Sequence, residues 1–382
     1  MGRLLKFPYH LKVQVCYPEA ASGMKVISGS LRRRCCAHQL FPWTPPINLS
    51  SVMIMTSLET NGNGNGNSLK LYYWYTSFYS QRVLMALYEK HVPFKSQIVS
   101  LLAQEQYEPW FLRLNPRGEV PVLTDGVKVI PDSGRIIEYL EDNFSNGQFK
   151  QLTPKEKGSE ESKLIQSYRE SLNALPIPLL TYGTALNPEL LDNPKPPFTP
   201  PVFKKMAEIM KKRHVILREH AERMPEFRDA LLKKAEEAEK GVLNINTTRE
   251  DVEEALKKVD ATLQEVEDQL SLHLPENVDC WLCGSLFSIA DVDLAILLNR
   301  LNQLGYERRF WSEGKRPALQ AYWERIQKRD SFKKATYFSI NAVHMTMLRG
   351  VLKQSKTFLA SLTVALGFVA ISYIVYRRVQ QS

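Results

Sequence analysis

Ser77 stands just ahead of a helical run, Ser80 to Lys90, where backbone N–H groups and the helix dipole favour negative charge. A hydroxyl in that place either caps the helix or donates a hydrogen bond to a ligand anion, a thiolate included. Asp132 and Ser133 occupy a second helix start, where an acid and a hydroxyl side by side suit a ligand carrying both an amino group and a carboxylate, and where both are also ordinary caps. Cys280 and Cys283 form a single C-x-x-C. A zinc site needs a second pair or nearby histidines, and His273 has no histidine partner, so loop packing is the expected role and no metal is assigned. A redox pair requires both thiols to titrate low. The remaining cysteines, Cys16, Cys35 and Cys36, leave an odd, sparse set that argues for a reducing compartment.

The elements that must hold these residues follow from periodicity. Leu69 to Tyr75, LKLYYWY, has the aromatic and aliphatic content of a strand, and Phe94 to Leu101 is a second extended run. Pro109 to Arg113 opens a short helix, and Val120–Leu123 with Lys128–Pro131 makes a strand pair. Ser133 to Phe144 closes the unit with a helix that buries Ile136, Ile137, Tyr139 and Leu140. The order β-α-β-α-β-β-α predicts a compact α/β domain over 68–146. Residues 150–340 read as helical, with an insertion at about 185–245 that begins in the proline-rich Pro188–Pro201. Thr248 and Asp251 form a capping pair ahead of Val252, Leu256, Val259, Leu263, Val266 and Leu270, one apolar stripe that suits a bundle core. Phe203 to Lys240 is so charged that it predicts a solvated or partner-facing excursion.

Ser77-Phe78-Tyr79-Ser80-Gln81-Arg82-Val83 resembles the C-P-Y-C-Q-R-V turn of glutaredoxins with both cysteines replaced by serine, so disulfide exchange there is excluded. Gly118-Glu119-Val120-Pro121-Val122-Leu123 resembles the thioredoxin-like segment in which the bond before proline is cis and the preceding backbone pairs with a peptide ligand. With Asp132–Leu140, Phe287–Leu294 (a Ser288/Asp291 cap) and Pro317–Phe332, these pieces in this order resemble the glutathione transferase family over about residues 69–337. The resemblance implies a thioredoxin-like N-terminal domain and an all-α C-terminal bundle. It implies Ser77 as thiol activator, Val120 ahead of Pro121 as the partner of the cysteinyl backbone, and Asp132 with Ser133 as the γ-glutamyl site. Glutathione is therefore the implied, weakly held ligand. Glu119, where many relatives carry Lys or Gln, opposes its two carboxylates by about a kcal/mol at surface dielectric. Asp132 is one methylene shorter than the usual Glu or Gln. Both departures lean against an enzyme.

The run Thr357–Tyr376, TFLASLTVALGFVAISYIVY, has no charge and rises about 30 Å as a helix, the thickness of a hydrocarbon layer. Lys353 and Lys356 flank one end, Arg377 and Arg378 the other, and only six residues follow. That predicts a C-terminal membrane anchor inserted after synthesis, with the bulk of the chain in the cytosol. A moderately apolar span between basic residues points to the mitochondrial outer membrane, with the peroxisome left open. Residues 1–67 read as a basic, disordered leader ending in the Asn/Gly linker Asn61–Asn67; translation from Met53 or Met55 would omit most of it. Net charge is +9, but the excess sits in that leader and around the apolar run, without a basic groove, so nucleic acid is not expected. The body, the insertion and the tail together resemble a membrane-tethered branch of the transferase family. That implies a cytosol-facing outer-membrane protein acting in mitochondrial fission and network dynamics, with little or no transferase activity. The alternative is a membrane-bound transferase detoxifying lipid-derived electrophiles. The 203–240 excursion is the expected protein-partner surface, and a homodimer is left open.

Overall fold

The computed structural model describes residues 69–336 apart from 146, 157, 192, 241–243, 245 and 273–279. The leader 1–67, the end of the helical domain at 337–340 and the apolar run 357–376 lie outside the described residues. Among the described residues no helix is long and apolar enough to cross a membrane.

Alternating burial makes the first strand. In β1, Lys70–Tyr73, Leu71 and Tyr73 point into the core. It pairs in parallel with β2, Lys95–Ile98, and antiparallel with β3, Val122–Asp125, which pairs antiparallel with β4, Lys128–Pro131. The sheet order is β2-β1-β3-β4. Helix α1, Phe78–Lys90, packs on this sheet through Val83, Leu84, Met85 and Leu87. A short α2, Pro109–Leu112, leads toward β3, and α3, Ser133–Asn143, buries Ile136, Ile137 and Leu140 as the pattern predicted, whereas Tyr139 is only half-buried, its hydroxyl donating to Asp125 at 2.7 Å.

The second half is helical. After α4, Glu160–Asn173, one π-helical turn spans Leu179–Gly183. The charged stretch folds as a hairpin of α5, Pro200–Arg223, and α6, Arg228–Lys240. It breaks around Pro225, which cannot donate the helical hydrogen bond. Helix α7, Arg249–Ser271, starts at a full Thr248/Asp251 capping box and buries all six stripe residues in the bundle. Helix α8, Ile289–Gln303, is buried along nearly its whole length, and α9, Pro317–Ile326, docks its first turn on the Glu267 carboxylate of α7 through the Ala318 and Leu319 N–H groups. One hydrophobic core runs through both halves, from Leu71, Val83 and Ile136 to Leu263, Leu294 and Trp311. Arg82 of α1 and Asp293 of α8 meet at 2.7 Å inside it.

The hairpin corrects the expectation of a solvated excursion. Leu217, Ala221, Met224, Leu231, Ala235 and Ala238 close a small core of their own that includes Tyr107 and Leu112 of the α/β half. Part of the excursion is therefore spent inside the molecule, because a stripe of apolar residues runs beneath the charges.

Candidate functional site

A cleft of about 950 Å³ opens between the α/β half, the bundle and the hairpin. Ser77, Val120, Pro121, Asp132 and Ser133 all line it, so the residues singled out by sequence converge. Ser77 is the N-cap of α1 and accepts a hydrogen bond from the Ser80 N–H at 3.3 Å, which leaves the hydroxyl proton free for a ligand. Ser80 points away from the cleft work: it is fully buried and accepts from the Trp74 N–H at 3.3 Å. Val120–Pro121 is cis, and β3 begins only at Val122, which leaves the Val120 peptide outside the ladder. Gly118, at φ +58°, allows that approach. A Cβ there would stand 2.9 Å from the Tyr107 ring.

Asp132 sits at φ +77° and caps α3, one carboxylate oxygen accepting from the Gly134 N–H at 2.9 Å and the Arg135 N–H at 3.1 Å. A non-glycine residue held in that region costs of order 1–3 kcal/mol, and such strain concentrates at ligand clamps. Its second carboxylate oxygen remains for a ligand amine. Ser133 is buried beside it. Tyr79 lies at the mouth, 37 % exposed, and Phe78 is buried.

Glu119 does not stand alone as the sequence implied. The Lys234 ammonium of α6 reaches it at 2.5 Å and the Arg117 guanidinium at 3.2 Å. With two cations on one carboxylate, its repulsion of an anionic ligand is offset. Sequence could not show this, because Lys234 lies more than a hundred residues away in a hairpin read as detached.

Four further residues of the cleft were missed by sequence reasoning. The π-helical turn turns Thr181 and Tyr182 toward it; such turns often mark functional sites. Arg300 of α8 forms part of the lining, donating to the Thr181 hydroxyl at 2.8 Å and to the Thr76 carbonyl at 2.6 Å. Burial pulls its guanidinium down to about 10, still charged at neutral pH, with Tyr182 and Tyr79 partly offsetting the burial. Arg213 of α5 also lines the cleft, in electrostatic reach of Tyr107 and Tyr182. Burial raises the Tyr182 phenol against the pull of these two arginines.

Of the Cys280/Cys283 pair, Cys283 is buried and Cys280 half-buried. Burial, with Asp291 and Glu161 nearby, pushes the Cys283 thiol far above the physiological range, and both cysteines are free.

Family models described as the glutathione S-transferase N-terminal and C-terminal domains match residues 71–148 and 206–330. The human ganglioside-induced differentiation-associated protein 1-like 1 is 34 % identical over 298 residues, covering 74 % of this chain and 77 % of that protein. Glutathione S-transferase TCHQD of Arabidopsis thaliana is 29 % identical over 274 residues, 70 % of this chain and 88 % of the plant protein. Among solved structures, the β-etherase LigF of Sphingobium sp. strain SYK-6 superposes with a TM-score of 0.53 at 24 % identity, over 71 % of this chain and all of that one.

Proposed function

The chain belongs to the glutathione S-transferase family, in its ganglioside-induced differentiation-associated protein 1 branch, and on that premise we infer that it is a tail-anchored protein of the mitochondrial outer membrane, its bulk in the cytosol, acting in network dynamics and fission. The observation that carries the reading is the uncharged run 357–376 between two basic pairs. The fission role comes from the branch, and the charged outer face of the 203–240 hairpin is the surface offered to a protein partner. Full-length protein on isolated mitochondria resists extraction at alkaline pH, and removal of residues 357–376 releases it. Recovery of the intact chain in the alkaline supernatant would falsify the tether. Loss of the protein lengthens and fuses the network; an unchanged network would remove the fission role.

A second reading, a membrane-bound glutathione transferase, gains from one observation: Glu119 is paired with Lys234 and Arg117 and so opposes glutathione less than its sequence suggests. Ser77 would then donate to the thiolate, with Val120, Asp132 and Ser133 holding the peptide. Calorimetry of the full-length protein with glutathione, followed by turnover of a general electrophile, separates the two readings. Millimolar-or-better binding with turnover abolished by Ser77→Ala establishes the transferase. Absence of both leaves the first reading.

A further inference from the structure

Charge is unevenly spread over the body. Between Leu69 and Thr336 the chain carries 38 Lys and Arg against 39 Asp and Glu, which is close to neutral, yet α5 alone holds seven against three. Helical spacing sorts the side chains of α5. Val202, Phe203, Met206 and Met210 turn inward, and the opposite face exposes Lys204, Lys205, Glu208, Lys211, Lys212 and Val215. Among the described residues Lys204, Lys211 and Lys212 meet no carboxylate, and Glu208, the one acid of this stretch, is held by Lys205 at 3.6 Å. Farther along the helix the cations are engaged: Arg218 pairs with Glu239 at 2.6 Å and Arg223 with Glu219 at 3.9 Å. Three unpaired ammonium groups thus lead up to Val215, a large apolar side chain left 46 % exposed. By contrast α7 carries eight acids against three bases.

What such a face meets follows from the chain that comes after the body. Residues 337–356 separate the last described residue from the uncharged run 357–376. A stretch of that length reaches at most about 70 Å fully extended, and about 25 Å as a flexible coil. With 357–376 in a bilayer, the body is never far from lipid. The meeting of a tethered body with that surface is intramolecular, so a weak contact suffices to hold it. A lysine close to an anionic leaflet gains about 1 kcal/mol, which is about a fivefold change in occupancy.

We propose that the α5 face from Lys204 to Val215 lies on the anionic surface of the membrane that holds the tail, its free lysines among the lipid headgroup anions and Val215 at the headgroup level. The inference rests on the tether proposed above and adds an orientation to it. It leaves α6, with Glu236 and Glu237 exposed, as the part of the hairpin open to a protein partner.

The test uses full-length protein reconstituted into phosphatidylcholine vesicles with or without phosphatidylserine. The reactivity of each lysine toward an amine-acylating reagent is read by mass spectrometry. Phosphatidylserine lowers the reactivity of Lys204, Lys211 and Lys212 at least about fivefold and leaves Lys257 and Lys258 of α7 unchanged. Salt at about 1 M, where the Debye length is about 3 Å, restores the reactivity without releasing the chain. In the triple variant Lys204→Gln, Lys211→Gln, Lys212→Gln, the remaining Lys205 reacts equally on both kinds of vesicle. Alkaline washing reports the tether separately. If it removes the chain, the tether has failed, and the face is judged by flotation at neutral pH, expected with the anionic vesicles and absent with the neutral ones. For retained chain, equal reactivity on both vesicles overturns the proposal, as does shielding confined to the exposed Lys328, Lys333 and Lys334 nearer the tail. Shielding that persists on neutral vesicles or in high salt, as a second copy or a bound protein would give, overturns it too. So does a Lys205 still shielded in the variant, or washed-off chain that fails to float with anionic vesicles.

Discussion

Ser77 and Ser80 occupy the two positions that a dithiol motif would fill, and the fold gives them different work. Ser77 makes one long cap bond at the cleft, so Ser77→Ala costs only about 0.5–1 kcal/mol. Ser80 is fully buried and takes the Trp74 N–H, so Ser80→Ala strands a buried donor and costs about 1–3 kcal/mol. Urea midpoints of the two variants check the order. If Ser77→Ala proves the more destabilising, the cap has been misjudged and the hydroxyl holds more of the α1 entry than its single bond shows. The same contrast bears on function. A residue that is cheap to lose for stability and faces a ligand space is one whose loss is read out in binding.

The helix starts show how far single elements were legible. Ser288 and Asp291 were recognisable as a cap three residues apart, and the structure places them in a full capping box. The Asp291 carboxylate does more than spacing could show: it also accepts from the Leu282 N–H at 2.9 Å and the Tyr322 hydroxyl at 3.0 Å. Asp291→Ala therefore loses a cap and leaves two buried donors unpaired, an expected cost of about 3 kcal/mol or more by chemical denaturation. A loss near 1 kcal/mol would mean that those donors find other acceptors. The α7 stripe was legible because a 3.6-residue period is written in the sequence itself. Arg300 was visible only as one charge in the apolar run of α8, which gives no sign of what it faces. Its neighbours Thr181 and Thr76 come from distant segments, and no local pattern encodes such a meeting. The hairpin was misread for a related reason: its apolar residues are thinly spread among charges, and their partners Tyr107 and Leu112 lie in the other half. Because that cluster is small and touches the body through few residues, hydrogen exchange in α6 is expected to be faster than in α8. Equal protection would show the hairpin to be part of the main cooperative core.

At the scale of the whole molecule, the two halves are joined by ions as well as by apolar packing, and this junction sets the behaviour in acid. Glu89, near the end of α1, is almost buried, 5 % exposed. Arg329 reaches it with two nitrogens, one at 2.8 Å, Lys150 approaches at 2.7 Å, and the Ser331 hydroxyl donates as well. Burial opposes its ionisation, but the hydrogen bonds from Arg329, Lys150 and Ser331 win and hold the carboxyl at about 2, against 4.5 for a free side chain. A carboxyl lowered on folding contributes stability that is fully present above its unfolded value and is lost as pH falls toward its folded one. The window is thus pH 4.5 down to 2, and the contribution is of order 3 kcal/mol. Wild-type protein should lose stability steeply across that window. Glu89→Gln should start from a lower plateau, because Arg329 and Lys150 lose their anion, and should then decline less over the same range. Urea unfolding at a series of pH values measures both limbs. Parallel acid limbs in the two proteins would show that Glu89 titrates as an ordinary surface carboxyl.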